Sequence, residues 1–493
     1  MVFMKRTALW GVVALCLPLT LVAACGGGSS GTGGAGGSGG DVSIGAPGVT
    51  IREVALYQGT KRDLMKDGAA VDSSVPLVAG RDAVVRVFYD TGVAYDGASV
   101  TARLTIGNGD PIEVEGVLGA ASSDDDLAST VVFTIPGERI VSGSVDYAIE
   151  LSQNGLAARD NEAARWPSHD TQSLAVRGTG KPFRVELVPF RYDADGSGRL
   201  PDTSAATVEK YRARFQALYP VASVDVTLHD AVSWSTAIDP GGDGWDEILE
   251  ALYDLRGAEA PDDEVYYYGL FAPENDFDTY CKDGCILGLT WLNDTPAATG
   301  SVDMRFALGV SYPDYDYAWD TAVHELGHAL GRQHADCGDA DDVDPSFPYA
   351  NGGIGVWGLD TATMTLHSPD VGTDVMGYCE NVWVSDYTWS AVFDRLENTA
   401  SARWIGGPIA ALRVRLDGDR RVVATSMTKI DPRVHSGHVV PARWRDAAGS
   451  LVTADARVFS YDHLPGSSVL VPGVDASSTA VELEIDGAWI AVR

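Results

Sequence analysis

From Val49 to about Gly178, apolar and polar positions alternate in short runs separated by clusters of Gly, Asp and Pro. Ala83-Val84-Val85-Arg86-Val87-Phe88-Tyr89 and Ser129-Thr130-Val131-Val132-Phe133-Thr134-Ile135 are examples. Such β-branched, period-two runs predict antiparallel strands stacked as a sandwich. The rhythm changes near Lys181. Phe183 to Phe190 reads as a strand, and Thr207 to Tyr219 has helical spacing through Val208, Tyr211, Phe215 and Leu218, with Thr203 or Ser204 available as its cap. A strand at Ser223 to Leu228 and a helix at Gly244 to Leu255 follow. Further strands are predicted at Glu264 to Leu270, Ile286 to Trp291 and Met304 to Val310, then a helix from about Tyr317 to Leu330. Strands alternating with helices predict an α/β unit on a largely parallel sheet. The chain then turns irregular and rich in Asp, Gly and Pro as far as Asp374. A last helix is expected from Ser385 or Asp386 through Trp389, Val392, Phe393 and Leu396. Beyond about Arg403 the alternation returns, as in Ala411 to Leu416 and Ala480 to Ile485, and predicts a second small sandwich.

The 493 residues are too many for one ordinary core and predict two to four domains. The pattern divides them at 49–178, 179–402 and 403–493. Only 36 basic residues stand against 69 acidic ones, a formal charge of −33. That balance excludes nucleic acid as the expected partner, because phosphate binding needs clustered Lys and Arg.

The first residues bear on compartment. Lys5 and Arg6 precede an apolar run from Ala8 to Ala24, shorter than a membrane span and ending in small residues, as a signal peptide over 1–24 would. Its end, Val22-Ala23-Ala24-Cys25, resembles the lipobox of bacterial lipoproteins. The resemblance implies cleavage before Cys25 and acylation of the new N-terminus. Gly26 to Gly40 is nearly all Gly, Ser, Ala and Thr and makes residues 25–48 a flexible tether. The expected location is outside the cytoplasm, lipid-anchored to the bacterial envelope at the outer membrane or cell surface, with release from it as the alternative.

Of six cysteines, Cys16 and Cys25 belong to the leader and anchor. Four in an exported chain allow three pairings. Cys281 with Cys285 would clip one loop, and Cys337 would then join Cys379. Zinc ligation by these thiols is the alternative, but no CxxC pair supports it.

The chemistry concentrates in His324-Glu-Leu-Gly-His-Ala-Leu-Gly-Arg-Gln-His334. His324 and His328 share one face of a helix, and Glu325 is adjacent to the first. Two imidazoles leave a tetrahedral zinc short of the three protein ligands that a catalytic site needs; His334 can be the third if the chain reverses at Gly331, which tolerates a left-handed backbone. His324, Glu325, His328, Gly331 and His334 together resemble the HExxHxxGxxH pattern of the metzincin zinc endopeptidases. Downstream, Asp374-Val375-Met376-Gly377-Tyr378 is similar to their methionine turn. The resemblance implies Met376 as an apolar floor and Tyr378 as a partner of the developing oxyanion. It further implies an α/β metzincin-like catalytic domain, flanked here by N-terminal and C-terminal all-β sandwich-like domains. Peptide-bond hydrolysis of extracellular protein is the implied activity, with Glu325 as general base. Ala335 after the third histidine and the long interval to Met376 match no particular branch.

Two weaker signals remain. Asp193-Ala194-Asp195-Gly196-Ser197-Gly198 resembles the start of a Ca2+ loop, yet Ser204 stands where a bidentate Glu belongs; a polar turn explains it equally well. Asp339, Asp341, Asp342 and Asp344 are read as a solvated acidic loop beside the cleft, and His367 as a loop residue outside the ligand set. Two other functions share the sequence: a surface adhesin with a vestigial zinc domain, and a zinc amidase acting on cell-wall material.

Overall fold

The computed structural model describes residues 45–153, 161–178, 180–293, 302–398, 407–432 and 436–493. The leader, Cys25, the Gly26 to Gly40 tether and the expected boundary at residue 402 lie outside them. In the N-terminal region alternation becomes burial directly: along Val100–Ile106, the residues Val100, Ala102, Leu104 and Ile106 are buried while those between are not. Five strands ordered Ala69–Ala70, Lys61–Lys66, Val49–Tyr57, Ala83–Thr91 and Val131–Ile135 make one antiparallel sheet. A second is built on Gly143–Gln153 and Val100–Ile106. They share an apolar cluster that includes Val54, Leu104, Phe133 and Leu151.

A mixed six-stranded sheet occupies the middle of the chain. Phe183–Tyr192 lies parallel between Val224–Leu228 and Val265–Phe271; Phe306–Val310 adds in parallel, and short Gly288–Leu289 forms the antiparallel edge. Helix Ala205–Leu218 starts where the Ser204 hydroxyl accepts the Thr207 N–H, and helix Asp386–Glu397 where Ser385 does the same for Thr388. Helices Trp245–Glu259 and Ala318–Ala329 complete the set that matters for the site.

The expected fold class is corrected by this arrangement. The chain is a β-rich multidomain protein, with 27 strands against five α-helices among the described residues; no α/β metzincin-like catalytic domain stands between two sandwiches. The middle region does not close its own core. One apolar cluster runs from Phe183 through Trp389 and on into Ala411, Ile430, Phe459, Tyr461 and Leu470. The C-terminal strands make a single seven-stranded antiparallel sheet rather than a second sandwich. Leu412, Val414, Val469 and Val471 face its own small core. The alternate residues face helix Trp245–Glu259: Arg413 pairs with Asp254 at 2.6 Å, and Arg415 with Asp246 at 2.8 Å and Glu247 at 3.0 Å. Period-two patterning cannot separate a wetted basic face from one docked on acidic residues, which is why this sheet reads as an independent module.

The N-terminal region is docked as well. Buried Arg81 donates to the carbonyls of Tyr219 at 2.9 Å and Val221 at 3.0 Å beyond helix Ala205–Leu218, and its guanidinium lies 5.0 Å from the Trp389 ring centroid. Burial lowers the Arg81 pKa to about 9. Cys281 pairs with Cys285 and Cys337 with Cys379, the arrangement expected from spacing. Among the described residues no helix is long and apolar enough to cross a membrane.

Candidate metal centre

Helix Ala318–Ala329 buries every residue from Ala322 to its end. His324, Glu325 and His328 therefore sit inside the protein rather than on a surface. The helix stops as a glycine-terminated helix should: Gly331 adopts φ +84°, its N–H bonds His328 O at 2.8 Å, and the Arg332 N–H bonds Gly327 O at 2.9 Å. A Cβ on Gly331 would collide with Arg395 Nη2. The reversed chain brings His334 back, where Asp344 N–H bonds its carbonyl at 2.8 Å and Ala335 N–H bonds Met376 O at 3.0 Å.

The three rings converge through their Nε2 atoms. His328 Nε2 lies 3.1 Å from His324 Nε2 and 3.1 Å from His334 Nε2. On the far side each Nδ1 faces a backbone carbonyl: Val375 O at 2.7 Å for His324, Arg332 O at 2.7 Å for His328 and Asp341 O at 2.5 Å for His334. A carbonyl only accepts, so each Nδ1 carries the hydrogen and each Nε2 presents a lone pair. Burial pushes His324 and His328 far below the ordinary histidine pKa and His334 to about 3, with neighbouring rings adding to the effect. Three neutral rings thus aim lone pairs at one point, an arrangement that repels itself without a cation. Nitrogens about 2.0–2.1 Å from a tetrahedral metal stand about 3.4 Å apart, close to the separation seen. His324, His328, His334 and His463 each offer a ligand atom within 4.8 Å of the others, as do Glu325, Asp462 and His463, and this buried cluster can hold a metal ion.

Around that point stand two groups that the motif suggested and two that it did not. Glu325 is buried, and burial raises its pKa to about 8. Its Oε2 meets no protein N–H, and the Asp462 carboxyl is in contact with the side chain. The Tyr378 hydroxyl lies 2.9 Å from His334 Nε2, and burial, with nearby Asp462 and Glu325, pushes its pKa up. The methionine segment is tied in place by Asp374, which accepts the N–H of Met376 at 2.9 Å and of Ser385 at 2.8 Å. Met376 is buried under the helix, where a Cβ on Gly327 would stand 2.5 Å from its sulfur. The unforeseen pair is Asp462 and His463, from the C-terminal sheet. His463 Nε2 is 3.1 Å from Glu325 Oε1, and its Nδ1 is 2.8 Å from the Tyr378 hydroxyl. Burial raises the Asp462 pKa well above the carboxylate range, Glu325 adding to it, and burial lowers that of His463. Their only sequence signal is an Asp-His pair beside Pro465-Gly466 at a strand end, a feature with no spacing relation to the motif.

A pocket of about 90 Å³ opens beside the centre, walled by Ile286, Leu287, Tyr315, Val375 and Val382 and reaching His324, Glu325, Tyr378 and His463. Cys379, paired with Cys337, contributes to its rim and fastens the segment after His334 to the segment after Met376.

The remaining candidates lie elsewhere. Asp193 to Gly198 is a turn in which Asp195 accepts the Ser197 N–H at 3.0 Å and pairs with Arg199 at 2.7 Å. Asp344 is not solvated as expected: it is buried and binds Arg332 at 3.0 Å and the Tyr387 hydroxyl at 2.8 Å. His367 belongs to strand Thr365–His367 and stacks on Trp383 with centroids 3.8 Å apart, away from the centre.

No family model matches the chain, and no curated protein matches it. Among solved structures it is similar to a putative beta-galactosidase from Bacteroides fragilis, at 13% identity over 45% of this chain and 34% of that one, with a TM-score of 0.14. The chain spans about a third of that protein's length, and a likeness of this size carries no argument about fold or activity.

Proposed function

We propose that this chain is a zinc-dependent endopeptidase of metzincin-type chemistry, exported and anchored through Cys25. One observation carries the reading: three neutral imidazole lone pairs converge beside a buried carboxylate at the wall of an open pocket. Three imidazoles, with Glu325 and the fourth ring, His463, left to one another at 3.1 Å, suit zinc held for catalysis rather than for structure. His324, His328 and His334 would hold the ion, and zinc supplies Lewis acidity when bound.

The chain's own groups do the rest. Glu325 accepts the proton of the attacking water and returns it to the leaving amine, a task that favours a carboxylate whose pKa is drawn towards neutrality. Tyr378 directs its hydroxyl to the same face and donates to the oxyanion. The apolar walls at Ile286, Leu287 and Val382 favour an apolar substrate side chain next to the scissile bond.

The test is cleavage of casein or gelatin by the full chain. Cleavage is expected to vanish in Glu325→Gln while one zinc per chain is retained. Zinc-loaded wild-type protein that cuts no member of a broad peptide library would overturn the proposal and favour the adhesin reading. Products of cell-wall cleavage, identified by mass, would favour the amidase. Loss of fatty-acid labelling in Cys25→Ser tests the anchor.

A further inference from the structure

Resting on that hydrolase reading, we infer that His463 is a positioning residue of the same site, so that the active centre is assembled from two distant regions of the chain. Its ring links the two groups assigned to proton transfer and oxyanion binding, Glu325 at 3.1 Å and Tyr378 at 2.8 Å. In the resting site one neutral tautomer serves both contacts: Nε2–H donates to the carboxylate and Nδ1 accepts from the phenol, whose O–H turns to the oxyanion during the reaction. Its ring centroid is 5.6, 6.0 and 5.3 Å from those of His324, His328 and His334, so it sits across the face that the three ligands leave open. Among the described residues, His463 is the side-chain donor that the structure places on Glu325. The other polar group in contact with Glu325 is the Asp462 carboxyl, which reaches it from the same loop.

The ring is fastened there. Asp462 Oδ1 accepts the N–H of Thr290 at 3.0 Å and that of His463 itself at 2.9 Å. Leu292 N–H bonds Ser460 O at 2.9 Å and Asp462 N–H bonds Thr290 O at 3.3 Å, which joins the end of strand Leu451–Ser460 to the middle sheet's edge. Trp291 stacks on Phe459 with centroids 4.5 Å apart, both buried. Leu464, the next residue, lies against Gly242. A removable plug would not be held by a buried tryptophan and a backbone pairing, and the pocket beside His463 remains open to substrate. Both facts favour a permanent part of the site over an inhibitory one.

The experiment compares full-length wild type with His463→Ala and His463→Gln, the glutamine amide being able to donate to Glu325 and accept from Tyr378. Bound zinc and the unfolding midpoint establish that each variant folds and loads metal. On a fluorogenic peptide, kcat is expected to fall about 100-fold in His463→Ala with KM within about threefold, and to recover in part in His463→Gln. A second readout is independent of turnover: acetohydroxamate binding to the cobalt-loaded chain, followed by visible absorption, is expected to weaken about tenfold in His463→Ala and recover in His463→Gln. Unchanged hydroxamate affinity in the alanine variant overturns the inference. So does loss of the metal, which would make His463 a ligand, or a rise in kcat, which would make it a plug. Failure of the hydrolase reading is separate: the wild type would then be inactive while the hydroxamate comparison still reports on His463.

Discussion

Gly288→Ala perturbs the proposed general base without touching a ligand. Gly288 is buried in the edge strand, with no positive φ to forbid a side chain. A Cβ built on it stands 2.5 Å from both Cδ and Cγ of Glu325. Carbon atoms at rest lie about 3.5–4.0 Å apart, so the carboxylate must move by about 1 Å. Helix Ala318–Ala329 has little room to retreat, because the Met376 sulfur stands 2.5 Å from where a Cβ on Gly327 would lie and the Tyr219 hydroxyl bonds Val323 O at 2.6 Å. Displacing a catalytic group by about 1 Å costs about 100-fold in kcat, whereas overpacking by one methyl costs about 1–3 kcal/mol of stability. The expected result is a folded, zinc-loaded protein with kcat down about 100-fold, measured on a fluorogenic peptide beside urea unfolding and metal content. Gly257→Ala is the control: nothing lies within 4 Å of its new Cβ, on helix Trp245–Glu259, and stability should rise by about 0.5–1 kcal/mol. Combining Gly288→Ala with Glu325→Ala removes the obstructed Cγ and carboxylate and should recover the stability lost. Full activity in Gly288→Ala, with zinc bound, refutes the placement of Glu325 as the base.

Tyr378→Phe keeps the ring but removes the hydroxyl near His334 and His463; kcat should fall about 100-fold with KM little changed, read by steady-state kinetics. Replacing Cys337 and Cys379 with serine opens a loop of 42 residues and should cost about 4 kcal/mol, measured by chemical unfolding of the zinc-loaded chain. The chelated chain should lose stability as pH rises above about 6.5. Glu325 is raised from 4.5 to about 8, so the native state binds more protons than the unfolded state over that interval, and stability falls with pH. The histidines act oppositely: their depressed pKa values make stability fall as pH drops below 6.5, through about 3 for His334. Glu325→Gln should therefore flatten the alkaline arm and leave the acid arm in place; an unchanged alkaline arm would contradict the burial of Glu325.

Local structure was legible wherever one residue carries the physics. Gly331 reverses the helix because only glycine takes φ +84° there at no steric cost, and Ser204 and Ser385 cap the helices that their positions announce. Apart from short Val232–Trp234, which no apolar run announces, the described strands from Phe183 to Val310 lie within a few residues of the runs that predict them. Legibility fails where a pattern has two physical readings. Arg413 and Arg415 alternate with Leu412 and Val414 as a solvated face would, yet they bind acids on another element, so the C-terminal sheet is part of the central core.

The same limit explains why the motif describes the centre incompletely. Spacing brings His324 and His328 to one face of a helix, but which nitrogen each ring offers is decided by what stands behind it. The carbonyls that orient the rings come from Val375, Arg332 and Asp341: the methionine segment, the helix's own reversal and the acidic loop. The acidic residues after His334 therefore matter less for their charge than for a backbone oxygen, a group every residue possesses and no composition reveals. His463 extends the argument from orientation to the base, since the donor that reaches Glu325 arrives on a different sheet. Changes at Val375, Asp341 or the Asp462 loop should thus act on the metal and on Glu325 separately, the first two through ring orientation and the last through the carboxylate. A variant in the Asp462 loop that loosens zinc without altering Glu325 would break that division.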